Sequence, residues 1–157
     1  MPAVSTRLRT FLEERKVPFE VVHHRLDFTA QEAAADTRTH GREFAKSVVL
    51  RMDGRFILVV LPAHHRVNLE KVRVALGGEE IRLASEKEMS AIFVDCEIGA
   101  EPPFGNLYEL PVYASPAITE ARHITFNAGT HEDVVRMDIK EFERLVRPIV
   151  IDFADRP

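Results

Sequence analysis

A single cysteine, Cys96, stands in a chain of 157 residues. One thiol makes no internal disulfide, so the fold is expected to hold by packing alone, in a reducing cytoplasm. Long apolar runs are missing too. None approaches the roughly 20 residues that a membrane helix needs, and Met1 to Arg9 carries no hydrophobic signal core. Seven glycines and nine prolines are too few for a collagen-like or low-complexity polymer. No internal repeat and no linker-like stretch appears, so residues 1–157 are expected to form one domain. What is present is 45% hydrophobic and 29% charged. That is too apolar for a disordered chain and long enough for one substantial core.

Net charge is −4, but it is unevenly spread. Residues 1–78 carry 13 Lys/Arg against 9 Asp/Glu, and residues 79–157 carry 8 against 16. Screening confines exposed charges to about 10 Å of influence, so a basic surface in the first half can hold phosphates whatever the total. Sixteen of the 21 basic residues are arginine, which suits bidentate phosphate contact. Ordinary solvated surface explains the same numbers, so charge permits a nucleic-acid partner without requiring one.

Periodicity and turn chemistry place the elements. Val4, Leu8, Phe11 and Leu12 follow helical spacing up to Pro18. Phe19–His24 reads as a strand, and Thr29-Ala30-Gln31-Glu32 opens a helix that runs to Asp36. Ala45–Met52 and Arg55–Leu61 are Val/Ile/Leu-rich runs around Asp53-Gly54, the signature of a β-hairpin. Asn68 caps a helix over Leu69–Leu76, stopped by Gly77-Gly78. A weak strand at Glu80–Leu83 precedes a capping box at Ser85–Glu88. Gly99–Gly105, with Pro102 and Pro103, is a loop. Strands follow at Leu110–Tyr113, His123–Asn127 and Val134–Met137. Asp138 caps a last helix carrying Phe142, Leu145 and Val146, Pro148 ends it, and Ile149–Phe153 forms a final strand. The order is no regular βαβ alternation. The expected class is α+β, a mixed, largely antiparallel, barrel-like sheet flanked by helices.

Three places can carry chemistry. On a strand from Ala45, Lys46 shares a face with Val48 and Leu50, so its ammonium can open into a pocket; a snorkelling lysine fits the same pattern. The stiff loop Gly99-Ala100-Glu101-Pro102-Pro103-Phe104-Gly105 can present a free glycine N–H to a carbonyl or oxyanion, or be a mere connection. Asn127-Ala128-Gly129-Thr130-His131 can bring backbone and an imidazole to a ligand, or be an ordinary turn. Seven histidines invite a metal. However, the adjacent pairs His23-His24 and His64-His65 would point to opposite faces of a strand, and no zinc spacing appears, so no metal and no cofactor are expected. No G-x-S-x-G elbow, P-loop or G-x-G-x-x-G occurs.

Taken in order, Thr29–Ala34, Phe44–Leu50, Leu61-Pro62-Ala63, Gly99–Gly105 and Phe126–His131 resemble the YbaK/prolyl-tRNA synthetase editing-domain family, over about residues 17–153. The resemblance implies a free-standing hydrolase that removes a wrong amino acid from the 3′ end of tRNA. Such a second sieve is needed because a methylene or hydroxyl difference yields only about 1–3 kcal/mol of discrimination in a pocket. It implies Lys46 as the family's essential lysine and Gly99 and Pro103 as its G-x-x-x-P loop. Gly129 and His131 become pocket lining, with Thr29, Ser47, Ala100 and Asn127 beside them, and His24 and Phe28 near enough to set pocket size. Water attacks the ester without a protein nucleophile. Arg25, Arg38, Arg42, Arg66 and Arg73 are the phosphate candidates. Mischarged tRNA, held by its acceptor end, is the implied partner, with prolyl-tRNA synthetase a candidate second, and neither membrane nor DNA is involved. The loop wording leans toward alanyl-tRNA(Pro). Two other readings stay open: a non-catalytic protein binding aminoacyl-tRNA or a synthetase, and a small-molecule hydrolase using Cys96.

Overall fold

The computed structural model describes residues 5–23 and 43–157. Helix α1 (Thr6–Glu14) starts where the Ser5 hydroxyl accepts from the Leu8 amide, and it buries Leu8 and Leu12. Strands β1 (Glu20–His23), β2 (Ala45–Met52), β3 (Arg55–Pro62) and β4 (Arg66–Val67) follow. The β2–β3 turn forms because Asp53 and Gly54 both take positive φ, at 51° and 80°, which matches the twist of a two-residue hairpin. Helix α2 (Leu69–Leu76) runs from an Asn68 cap to a left-handed Gly77. Strand β5 (Ile81–Leu83) leads to α3 (Glu86–Ile92), whose Ser85/Glu88 capping box is complete. A 3₁₀ turn at Gly105–Tyr108, β6 (Val112–Ala114) and α4 (Pro116–Thr119) come next. The chain closes with β7 (His123–Asn127), β8 (Asp133–Asp138), α5 (Ile139–Val146), β9 (Ile149–Val150) and β10 (Ala154–Asp155).

The class is α+β, as expected, but the barrel-like closure is not found. The described strands form three separate sheets, ordered β5-β2-β3-β6-β9, β1-β8-β7 and β10-β4. The five-stranded sheet stays open, with β5 and β9 as its edges; β6 joins β3 and β9 joins β6 in parallel, whereas the other strand pairings are antiparallel. The elements absent from the sequence reading are the short ones: β4, β10, α4 and the 3₁₀ turn. The expected helix at Thr29–Asp36 lies outside the described residues.

Strand β3 explains the layering. Leu58 and Val60 face a large core with Leu8, Phe104, Phe126 and Phe142, while Ile57, Val59 and Leu61 face a second cluster with Val72 and Phe153. A strand covered on both faces reads as an uninterrupted apolar run, and Ile57–Pro62 is buried throughout. This two-sided burial fixes the hairpin rigidly and places its open end, at Ala45 and Pro62, against the rest of the molecule.

Candidate active site

Lys46 lies at that open end, opposite Leu61, with Ser47 opposite Val60. The alternation puts Lys46 on the second-cluster face with Val48 and Leu50, and Ser47 on the main-core face with Val49. Lys46 is half-buried and has neither ion-pair nor hydrogen-bond partner among the described residues. Its pKa is lowered, first by burial and then by the nearby Arg66 guanidinium. The Ser47 hydroxyl is covered and unpartnered as well. An uncompensated cation and an orphan hydroxyl each cost stability, and the fold gains nothing visible from either.

The second group of sequence-singled residues meets in a loop layer. The Gly129 amide donates to the Ala100 carbonyl at 2.9 Å and the Glu97 amide to the Gly129 carbonyl at 2.7 Å. His131 donates its amide to Glu97 Oε1 at 2.7 Å and its Nε2 to the Ile98 carbonyl at 2.7 Å. Gly99 and His131 touch: a Cβ on Gly99 would stand 3.1 Å from His131 Cε1, and φ there is +88°. A side chain on Gly129, at φ +96°, would meet Ser5 Cβ at 2.8 Å. Both glycines are therefore required by positive φ and close approach.

The expected free Gly99 N–H is not free. It donates to the Glu101 carboxylate at 3.0 and 3.2 Å, and Glu101, 5% exposed, has its pKa raised by burial. Ala100 is fully buried with its amide and carbonyl both paired, and Pro103 is buried beside it. Asn127 ends β7. Phe44 and Thr125 form a parallel bridge, so Lys46 and Asn127 each follow it by two residues and the two groups of candidates adjoin there. Thr29, Arg25, Arg38 and Arg42, like His24 and Phe28, lie outside the described residues.

The remaining candidates divide. Arg66, exposed on β4 opposite Asp155, is close enough to Lys46 to depress its pKa. Arg73 is committed elsewhere: its Nε donates to Glu70 Oε2 at 2.9 Å and its Nη1 to the Gly78 carbonyl at 3.2 Å. Burial pushes the Cys96 thiol up to about 12, and it contacts Asp95 and the Tyr108 hydroxyl. A thiol that stays protonated is a poor nucleophile, which removes the support for a cysteine hydrolase. His64 and His65 are not strand neighbours pointing apart. They sit in the turn between β3 and β4 with ring centroids 4.4 Å apart, so the expected opposition of faces fails. Among the described residues no three His, Cys, Asp or Glu side chains converge as a metal site, and no helix is long and apolar enough to cross a membrane.

Fold and site together define an α+β domain with an unneutralised cationic position beside a tightly bonded glycine loop layer. The chain belongs to the aminoacyl-tRNA editing domain family, whose pattern matches residues 24–145. It is 35% identical over 108 residues to a proline–tRNA ligase of Staphylococcus saprophyticus, covering 67% of this chain and 18% of that protein. With a proline–tRNA ligase of Bacillus subtilis the identity is 29% over 147 residues, covering 85% of this chain and 25% of the ligase. The chain thus spans about a fifth to a quarter of the length of these relatives. Among solved structures, one provisionally described as a trans-editing enzyme for prolyl tRNA synthetase superposes with a TM-score of 0.87 at 25% identity, covering 99% of each chain.

Proposed function

We propose that the chain is a trans-editing hydrolase that deacylates mischarged aminoacyl-tRNA, with alanyl-tRNA(Pro) the first candidate substrate and prolyl-tRNA synthetase the candidate partner. The observation that carries this reading is Lys46, a half-buried cation beside Arg66 with no counter-ion among the described residues. A terminal adenosine phosphate or a polarised ester would supply the missing negative charge, whose attraction opposes the two influences that depress its pKa. Membership of an aminoacyl-tRNA editing family supports tRNA as the source of that anion, and the solved relative supports a free-standing form.

In the proposed reaction, water attacks the ester carbonyl, the carbonyl carbon becomes tetrahedral, and the ribose oxygen leaves with a proton. Lys46 stabilises charge that develops on the substrate, and the loop layer fixes where the aminoacyl group sits. Gly99 acts first as the position without a side chain that lets its loop close on His131. A substrate group that takes the Gly99 amide does so in exchange with Glu101, which occupies it in this structure. Asn127 offers its amide to the same substrate, while the Ser47 hydroxyl lies covered on the opposite face of β2 from Lys46. Arg66 is the phosphate contact that the geometry favours over Arg73.

The test is deacylation of Ala-, Cys- and Ser-tRNA(Pro) by the wild type and Lys46→Ala. Selective hydrolysis by the wild type, reduced about a hundredfold or more in the variant, is expected from removal of one transition-state interaction. No hydrolysis of any substrate by the folded wild type overturns the activity in favour of a binding role. Full activity in Lys46→Ala overturns the assignment of the residue.

A further inference from the structure

Beyond the open end of the hairpin lies a cleft of about 790 Å³, lined by Glu43, His64, His65, Glu120, Arg122 and Arg156 among others. Three parts of the fold build it: Glu43 just before β2, the histidine turn after β3, and Glu120 and Arg122 after α4, with Arg156 closing it after β10. We propose that this cleft holds a phosphodiester of the single-stranded acceptor end, one step back along the RNA from the ester at Lys46. The inference rests on the editing reading, since it takes its ligand from it.

Three observations carry it. First, the histidines are built in but unsatisfied. His65 is 7% exposed, and Nδ1 of both rings is covered and without a partner among the described residues. Hydrogen bonding toward the cleft therefore falls to Nε2 of each ring. Second, the cations are uncommitted. Arg122 and Arg156 make no ion pair among the described residues, whereas Glu43 has His123 Nδ1 at 4.0 Å. The planar fork of arginine suits a phosphate. Third, the cleft neighbours the Lys46 position. His65 directly precedes Arg66, and its pKa is lowered by burial, then by His64, Arg156 and Lys46, so these groups share one positive field. The lining itself balances Arg122 and Arg156 against Glu43 and Glu120, and Lys46 adds its charge from beside it. A strand of RNA passing from Lys46 into the cleft brings the missing negative charge.

The experiment measures binding of a deacylated RNA minihelix with a single-stranded CCA end, by fluorescence anisotropy across a salt series. Its partner measurement uses the same minihelix trimmed to a blunt end, and thermal melts check that each variant is folded. Arg122→Gln with Arg156→Gln is expected to weaken CCA-dependent binding by about tenfold and to lower the log–log salt slope by roughly 0.7 for each phosphate no longer neutralised. Glu120→Gln is expected to tighten it by about two- to threefold, since it removes a repulsive charge. Unchanged affinity and slope in the double variant overturn the proposal, as does an equal weakening on the blunt minihelix. Binding uses RNA without an ester, so it does not depend on hydrolysis. If the wild type deacylates tRNA while the double variant binds normally, the cleft assignment alone falls. If the wild type hydrolyses nothing while the double variant loses CCA-dependent affinity, the editing reaction alone falls.

Discussion

The loop layer around Gly99 and the open end of the β2–β3 hairpin are both rich in polar groups, and they treat them in opposite ways. In the loop layer, the backbones of Glu97, Ala100 and Gly129 bond one another, the Gly99 amide is taken by Glu101, and His131 bonds the Glu97 carboxylate and the Ile98 carbonyl. At the hairpin end, Lys46 has no partner among the described residues, and covered atoms of Ser47, His64 and His65 are unpartnered. Saturated hydrogen bonding makes a shape, whereas unsaturated groups carry a cost that the fold itself does not recover. On the proposed reading, the difference separates residues that hold the candidate site from those, such as Lys46, that would meet its ligand, although both kinds stand in the same sequence motifs.

Substitutions should divide along that line. The largest effect on stability belongs to Phe104, fully buried under the loop layer with its ring 5.6 Å from those of Phe126 and Phe142. Phe104→Ala is expected to cost about 3–5 kcal/mol in urea denaturation. A cost below about 1 kcal/mol would show that the layer does not rest on that ring. Next comes Gly129→Ala, expected to cost about 1–3 kcal/mol because it strains a positive φ and presses on Ser5. A melt equal to the wild type would mean that the packing against α1 relaxes freely.

At the hairpin end the sign reverses. Ser47→Ala removes a covered hydroxyl with nothing to bond, so stability is expected to hold or rise by up to about 1 kcal/mol. A clear destabilisation there would erase the contrast between the two regions. Lys46→Met is likewise expected to match or exceed the wild type in thermal melts, since the lowered pKa marks a cation that burial disfavours.

The smallest expected effect is a pH dependence. The pKa of Glu101 is raised by burial, so between the unfolded value and the folded one the native state binds more protons. Stability therefore falls as pH rises through that window and levels off above it. Glu101→Gln removes the slope, and a melt series from about pH 4 to 7 checks it. An unchanged slope would assign the dependence to another group.

Much of this is legible in the chain, for reasons that particular residues make clear. Asp53-Gly54, Asn68 with Gly77, and Ser85 with Glu88 each fix a backbone geometry through local chemistry, and each element forms where that chemistry stands. The two-residue strands β4 and β10 carry no periodicity, and their pairing depends on residues far apart in sequence. Lys46 stands out because a lysine in an apolar strand violates the pattern around it. His64 and His65 do not, since an adjacent pair read as strand residues faces two ways, and only the turn after Pro62 brings both rings to one cleft. The Glu101 carboxylate that occupies the Gly99 amide is likewise invisible, because spacing tells nothing about where a side chain two residues on will point.

The bonds that run between Glu97–Ala100 and Gly129–His131 have a consequence for recombination among relatives. The two segments are about thirty residues apart in the chain, yet Glu97 serves the backbone of Gly129 and His131 while Gly129 serves Ala100. They behave as one inherited part supplied in two pieces. A chimera that imports residues 97–105 from a proline–tRNA ligase and keeps the native 127–131 mixes halves of two different parts, while importing both together carries a matched set.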